Sequence, residues 1–336
     1  MIKETIAKLV AGECPDREEA YAALREIMAG EATPAQIGAF ITALRIRGET
    51  ADIIAGATQA MREHFTPVTA PHDVVVDTCG TGGDGAHTFN ISTAAALVAA
   101  GAGAVVAKHG NRSVSSRCGS ADVLASLGVN INIDAAQMTA CLREVGLAFL
   151  FAPALHPAMK HAIGPRKEIG IRTIFNILGP LSNPAGARYG VLGVYDRDLV
   201  PVMAEALAGL GAKCMFVVHG EDGLDEITTT TATLVGEVRD DQVNVYPLWP
   251  KDMGIPTAAP EDLSGGSPED NADILRRILK GETGPKRDIV QLNAAAAIVA
   301  GGQAADWAEG LQLAGNAIDS GAAAQKLEQL VAFTNG

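Results

Sequence analysis

The sequence predicts an α/β protein in which a small all-helical domain is joined to a larger domain with a mainly parallel central sheet. Three observations carry this reading. The first seventy residues hold only helix-like patterns. The chain beyond them alternates short apolar runs with helical stretches. Its 336 residues exceed the usual size of one domain. With 48% hydrophobic and 19% charged residues, the chain can bury a substantial core.

Asp16 opens a helix that puts Ala20, Leu24, Ile27 and Met28 on one face. Thr33 followed by Pro34 is an N-cap with proline at the first helical position. Ile37, Phe40, Ile41 and Leu44 follow, and Gly48 closes that helix. Thr50 caps a third helix through Ile53, Ile54 and Met61, and residues 66–71 read as a linker. From there, strands over 74–76, 104–107, 129–133 and 147–151 alternate with helices over 92–100, 120–127 and 134–145. Such alternation implies a mainly parallel sheet covered by helices, with ligands at the carboxyl ends of its strands. Between 153 and 184 the alternation stops, and Pro157, Pro165, Pro180 and Pro184 punctuate short helical pieces, one of them over 167–178. A strand over 189–194, a helix over 199–210 and a strand over 214–218 resume the pattern. Residues 233–238 and 243–248 flank Arg239-Asp240-Asp241 as an antiparallel pair, and the chain from Ser267 onward is mostly helical.

The formal charge of −13 argues against general affinity for nucleic acid or a membrane surface. An anionic ligand must therefore be held by a local concentration of donors, cations or metal ions. The five cysteines are scattered with no zinc-like spacing and read as reduced thiols; Cys79 has no partner that would make it a nucleophile. The longest apolar stretch, 94–107, is too short and too glycine-broken to span a bilayer. With no signal-peptide pattern at the N-terminus, a cytoplasmic protein is expected.

Asp77-Thr78-Cys79-Gly80-Thr81-Gly82-Gly83-Asp84-Gly85 lies between a strand and a helix start. A loop nearly stripped of side chains in that place brings bare backbone N–H groups close to a phosphate. The loop formally satisfies G-x-G-x-x-G, but a dinucleotide fold would place an acid after the second strand. Here that strand leads into Lys108-His109-Gly110-Asn111-Arg112, and no Gly-Lys-Ser/Thr follows the loop as a P-loop would require. Lys108 and Arg112, with Asn90, Ser92 and Thr93 at a helix start, favour a polyphosphate. N-capping is the simpler account of Asn90 and Ser92 taken alone. Residues 113–122 form a second small polar loop, which reads equally as a capping turn. Asp225-Glu226 follows the strand at 214–218. Adjacent loop carboxylates are commonly just solvated; opposite a polyphosphate they are the hard oxygen ligands magnesium prefers. Thr228-Thr229-Thr230-Thr231 has no functional account at this stage, and a strand entry is its simplest reading.

Taken in order, Gly80-Thr81-Gly82-Gly83-Asp84, Asn90-Ile91-Ser92-Thr93, Lys108-His109-Gly110-Asn111-Arg112, Gly119-Ser120-Ala121-Asp122, His156-Pro157, Gly164-Pro165-Arg166-Lys167-Glu168-Ile169-Gly170-Ile171-Arg172 and Leu224-Asp225-Glu226 closely resemble the anthranilate phosphoribosyltransferase family over the whole chain. The resemblance implies a two-domain architecture like that of the nucleoside phosphorylases. The helical domain would combine 1–69 with about 163–187, and the α/β domain 72–162 with 188–336. It implies transfer of the phosphoribosyl group of 5-phosphoribosyl 1-pyrophosphate to the amine of anthranilate, with two Mg²⁺ ions per site and a homodimer formed through the helical domain.

By matching motifs, the resemblance assigns Gly80, Gly82, Gly83, Asp84, Thr88, Asn90, Ser92, Thr93, Lys108 and Ser120 to phosphoribosyl pyrophosphate. Ser92, Asp225 and Glu226 fall to the metal, and Gly80, His109, Asn111, His156 and Arg166 to anthranilate. Lys108, Asn111 and Arg166 are the catalytic candidates, and no residue is given a general-base role. Two rivals are a pyrimidine nucleoside phosphorylase, which would need neither Asp225-Glu226 nor Arg166, and a nucleic-acid-binding relative, which would need a basic surface.

Overall fold

The computed structural model describes residues 1–113 and 117–336. Four helices open the chain: α1 (Ile2–Ala11), α2 (Arg17–Met28), α3 (Pro34–Arg47) and α4 (Ala51–Arg62). Three carry the side-chain caps that the sequence places there. Asp16 accepts from the Glu19 N–H at 2.9 Å, Thr33 from Gln36 at 3.3 Å and Thr50 from Ile53 at 3.4 Å. No polar side chain caps α1, which Gly12 closes in a left-handed conformation (φ 98°).

The alternating region supplies β1 (Val76–Gly80), α5 (Ile91–Gly101), β2 (Val106–Gly110), α6 (Ser120–Ser126), α7 (Ala135–Val145) and β3 (Leu147–Phe151). Three short helices interrupt it: α8 (Ala152–Leu155), α9 (Lys160–Ile169) and α10 (Phe175–Leu181). β4 (Tyr189–Gly193), α11 (Leu199–Gly209), β5 (Cys214–Gly220), β6 (Thr233–Arg239) and β7 (Gln242–Leu248) follow. The chain ends in α12 (Pro268–Leu279), α13 (Pro285–Ala300), α14 (Trp307–Asp319) and α15 (Ala322–Asn335).

The strands form one sheet in the order β3-β2-β1-β4-β5-β6-β7. β1 to β5 run parallel, and β6 and β7 add an antiparallel edge. The strand order reverses between β1 and β4, so their carboxyl ends flank a crevice suited to a ligand. Both strands end there in glycine, Gly80 and Gly193, which face each other in register.

Side-chain alternation along β4 and β5 feeds two cores. Val191, Phe216 and Val218 point to the cluster built with α5, α13 and α15; Leu192, Met215 and Val217 point to the cluster shared by α1 to α4, α10 and α11. The interruption between β3 and β4 thus contributes Ile174, Ile177 and Leu178 to the core of the N-terminal helices.

Four elements differ from their sequence reading. β1 begins at Val76 and takes in Asp77 to Gly80, because each of these residues pairs with β4. β2 is displaced in the same direction and includes Lys108, His109 and Gly110. The segment 129–133 buries Val129, Ile131 and Ile133 in strand-like alternation but pairs with no strand; the Asn130 N–H donates instead to Thr334 Oγ1 at 3.1 Å. The helix expected over 167–178 is two helices, because Gly170 (φ 68°) ends α9.

Candidate active site

Gly82 (φ 67°), Gly83 (φ 78°) and Gly85 (φ 76°) all hold the left-handed backbone that only glycine adopts freely, which is why this loop follows β1. The Gly82 N–H donates to Asp225 Oδ2 at 2.7 Å. Gly80 and Gly193 make room for this approach. A Cβ on Gly80 would meet Asp225 Oδ2, and one on Gly193 would overlap the Asp225 carbonyl oxygen. Beyond the loop, Thr88 bridges to Ser264 and Gly265 donates to the His87 carbonyl at 2.9 Å.

Glu226 reaches α5. Its Oε1 accepts from the Ser92 N–H, one of the free donors of the first helical turn, at 3.1 Å. Lys108 lies buried beneath, on β2. Its ammonium donates to the Thr78 carbonyl and lies 3.4 Å from Ser92 Oγ. Thr93 Oγ1, one residue on, is buried with no hydrogen-bond partner among the described residues. Asn90 precedes the helix without capping it. Its Nδ2 donates to the Cys118 carbonyl at 3.1 Å, and its Oδ1 accepts from Asn271 of α12 at 3.0 Å. Ser120 begins α6 and donates to the Asn111 carbonyl at 3.3 Å. Arg112 is committed to Asp122 at 2.8 Å, so it supplies no free cation to the glycine loop. Of the second polar loop, residues 114–116 lie outside the described residues.

On the opposite face of β1 and β2, the His109 and His156 Nε2 atoms lie 3.1 Å apart, and both rings are buried. Burial, and then His156, push the His109 pKa down to about 3; burial alone brings His156 to about 4. Both are neutral near pH 7. Asp77 supports this layer by accepting from the His109 N–H at 3.1 Å and from Asn183 Nδ2 at 2.7 Å. Arg166 of α9 lies over the Phe175 ring at 5.3 Å. Among the described residues it makes no ion pair or side-chain hydrogen bond, and burial lowers its pKa. A half-buried guanidinium in that state suits a planar carboxylate.

Sequence reasoning left out Arg172, Gly193 and Asp77. Arg172 donates to the Gly83 carbonyl and covers the Tyr195 ring at 4.3 Å, tying the 152–188 excursion to the glycine loop. The second arginine of the Arg166 segment was its available signal. For Gly193 the signal was a glycine at a strand end.

The electrostatics of the crevice are unbalanced. Burial and then Asp84 raise the Asp225 pKa; burial and then Asp225 raise that of Glu226. Burial lowers that of Lys108, against the pull of Asp77. Three carboxylates thus converge with one buried ammonium. A divalent cation relieves that repulsion, and the donors are the hard oxygens magnesium takes, so Asp225, Glu226 and Ser92 fit the ion. Among the described residues no group of three or more His, Cys, Asp or Glu side chains is arranged to hold a metal.

Residues 3–65 match the family model described as "Glycosyl transferase family, helical bundle domain", and 72–324 match "Glycosyl transferase family, a/b domain". The chain is 56% identical over 335 residues to an anthranilate phosphoribosyltransferase of Acetivibrio thermocellus, covering 100% of this chain and 97% of that protein. The chain belongs to the anthranilate phosphoribosyltransferase family. The anthranilate phosphoribosyltransferase of Anaeromyxobacter sp. (strain K) is 57% identical, with 99% of each chain covered. Among solved structures, the Thermus thermophilus anthranilate phosphoribosyltransferase superposes with a TM-score of 0.94 at 45% identity, covering 99% of each chain. The Saccharomyces cerevisiae anthranilate phosphoribosyltransferase, in complex with PRPP and Mg, gives 0.90 at 30% identity, covering 99% of this chain and 98% of that one. Another structure of the yeast anthranilate phosphoribosyltransferase is a complex with 4-fluoroanthranilate.

Proposed function

We propose that the chain transfers the phosphoribosyl group of 5-phosphoribosyl 1-pyrophosphate to the amine of anthranilate, giving N-(5-phosphoribosyl)anthranilate and pyrophosphate in tryptophan biosynthesis. The observation that carries this reading is the closure of the glycine loop onto Asp225. Support comes from the glycine loop, two acids and Lys108 lying together near the switch point of the sheet.

The leaving pyrophosphate gathers charge as the C1′–O bond breaks and the sugar becomes oxocarbenium-like. Gly80, Gly82, Gly83, Asp84, Thr88, Asn90, Ser92, Thr93, Lys108 and Ser120 surround the phosphoribosyl pyrophosphate. The buried Lys108 ammonium, beside Ser92 at the start of α5, is fixed before reaction, so stabilising that charge needs little reorganisation. Ser92, Asp225 and Glu226 would hold magnesium, expected as two ions, which would supply positive charge opposite the departing group. Anthranilate lies on the side of Gly80, His109, Asn111, His156 and Arg166, with Arg166 paired to its carboxylate. The aromatic amine is already neutral at pH 7, so a dedicated base to activate it is not essential, and no residue is given that role.

The helical domain would combine 1–69 with about 163–187 and the α/β domain 72–162 with 188–336, with Arg166 on the first and the glycine loop on the second. Cysteines scattered without zinc-like spacing suit a reducing, cytoplasmic setting, and among the described residues no helix is long and apolar enough to cross a membrane. Val10 of α1 and Ile46 of α3, 72% and 78% exposed, support a homodimer that buries this face of the helical domain. The reaction is tested by following anthranilate fluorescence with phosphoribosyl pyrophosphate and Mg²⁺. Consumption that needs both supports the reading. Magnesium-independent phosphorolysis of a pyrimidine nucleoside, with no loss of anthranilate, overturns it.

A further inference from the structure

The segment that carries Asp225 and Glu226 runs from β5 to β6 with no helix or strand of its own. Its backbone polar groups must therefore find partners elsewhere. Asn293 supplies two of them. It sits in α13 within Leu292-Asn293-Ala294-Ala295-Ala296-Ala297-Ile298, a run whose other members are apolar and buried, and it is itself 2% exposed. An amide at such a position calls for a reason.

Its side chain meets the backbone of Ile227, the residue after Glu226, in both directions. Asn293 Oδ1 accepts from the Ile227 N–H at 3.0 Å, and Asn293 Nδ2 donates to the Ile227 carbonyl at 2.8 Å. This is the pairing a neighbouring strand would give. Nδ2 also reaches the Ile289 carbonyl at 2.9 Å, one helical turn back, which fixes the amide's orientation. α13 packs along α5, whose Ser92 N–H holds Glu226. Asn293 therefore sets the acid pair against the helix start that faces the pyrophosphate. The threonine run completes the frame from the other side: Thr228 Oγ1 donates to Asp222 Oδ2 at 2.6 Å, Thr230 does the same, and the Thr228 N–H donates to Thr233 Oγ1 at 3.0 Å.

We propose that Asn293 is a positioning residue for magnesium-dependent binding of the pyrophosphate group, acting through the backbone of Ile227 to hold Asp225 and Glu226 in ligating position. The inference rests on the reading of those two acids as metal ligands. Outer residues of this kind set the orientation of ligands they do not replace. Asn293→Leu keeps the branched shape and removes all three hydrogen bonds, leaving the two backbone groups of the buried Ile227 without this partner.

The test is a magnesium titration at fixed phosphoribosyl pyrophosphate without anthranilate, so that nothing turns over, read as the rise in unfolding temperature. Asn293→Leu is expected to raise the Mg²⁺ concentration for half-maximal stabilisation about ten-fold or more. Amide hydrogen exchange is expected to quicken in 221–232 and at Ser92, and not in the rest of α5. Should Asn293→Leu not fold, Asn293→Ser keeps a polar group on a shorter arm and is expected to shift the same midpoint in the same direction. Asp225→Asn serves as the reference. If it shifts the midpoint while the folded Asn293 variant leaves it unmoved, Asn293 is structural only and the proposal fails. If Asp225→Asn itself leaves the midpoint unmoved, the metal reading fails first and takes this inference with it.

Discussion

Gly82 and Asp225 lie 143 residues apart in the chain and 2.7 Å apart in space, the backbone N–H of one donating to the carboxylate of the other. The phosphate loop and the acid pair are therefore one cradle. Neither can be displaced without moving the other.

Replacing both acids, Asp225→Asn with Glu226→Gln, retains the volume of the side chains and removes their charge. Anthranilate turnover at a fixed Mg²⁺ concentration is expected to fall by about 10²-fold or more, with the magnesium requirement weakened. A magnesium activation curve identical to that of the parent would take the pair out of the metal site.

Space at the ends of β1 and β4 is equally constrained. Gly193→Ala would drive a methyl group into the Asp225 carbonyl, so roughly 1–3 kcal/mol of stability is expected to be lost, with a raised KM for phosphoribosyl pyrophosphate. Gly82→Ala has no atom of the described residues within 4 Å of its added carbon but must hold φ at 67°, which costs about 1 kcal/mol. Thermal unfolding and initial rates on the two variants separate steric from conformational strain. A harmless Gly193→Ala would mean that the acid loop is not clamped there.

The two arginines of the excursion are expected to divide the substrates between them. Arg166→Ala should raise the KM for anthranilate about ten-fold or more and leave that for phosphoribosyl pyrophosphate nearly unchanged. Arg172→Ala should do the reverse, because Arg172 holds the Gly83 carbonyl. Unaltered anthranilate kinetics in Arg166→Ala would show that the carboxylate is held elsewhere.

The buried histidines confer a pH dependence of known sign. Both fall from an ordinary value of 6.5, to about 3 for His109 and about 4 for His156, because burial disfavours the imidazolium. Between pH 6.5 and 4 the unfolded chain binds more protons than the folded one, so stability is complete above this window and is lost as pH falls through it. His156→Asn is expected to flatten this acid limb by roughly 2–3 kcal/mol, measured by denaturant unfolding at pH 7 and pH 4. An acid limb as steep as the parent's would mean that the pair stays charged or accessible.

Local signals made most of the fold legible. Caps at Asp16, Thr33, Thr50 and Asp134 sit where the helices start, and β3 spans the residues its apolar run predicts. What misled was long-range. Asp77 and Thr78 look like loop residues, yet they lie in a buried strand because Asn183, the His109 backbone and Lys108 satisfy them. Residues 129–133 show the reverse case, alternating like a strand while α15 supplies the partner. At the site, side-chain type was readable and pairing was not. Arg112 looked free until Asp122 claimed it, and Asn90 looked like a cap until Asn271 and Cys118 took both ends of its amide. Asn293 escaped because nothing near it in sequence says what it touches.

The central claim is that the glycine loop and the acid pair hold a magnesium-bound pyrophosphate as one unit. Isothermal titration of phosphoribosyl pyrophosphate, with and without Mg²⁺, into the parent and into the Asp225→Asn, Glu226→Gln variant tests it directly. The account predicts tight binding by the parent only with Mg²⁺, and weak binding by the variant that Mg²⁺ does not improve. Equal magnesium enhancement in both proteins would contradict it.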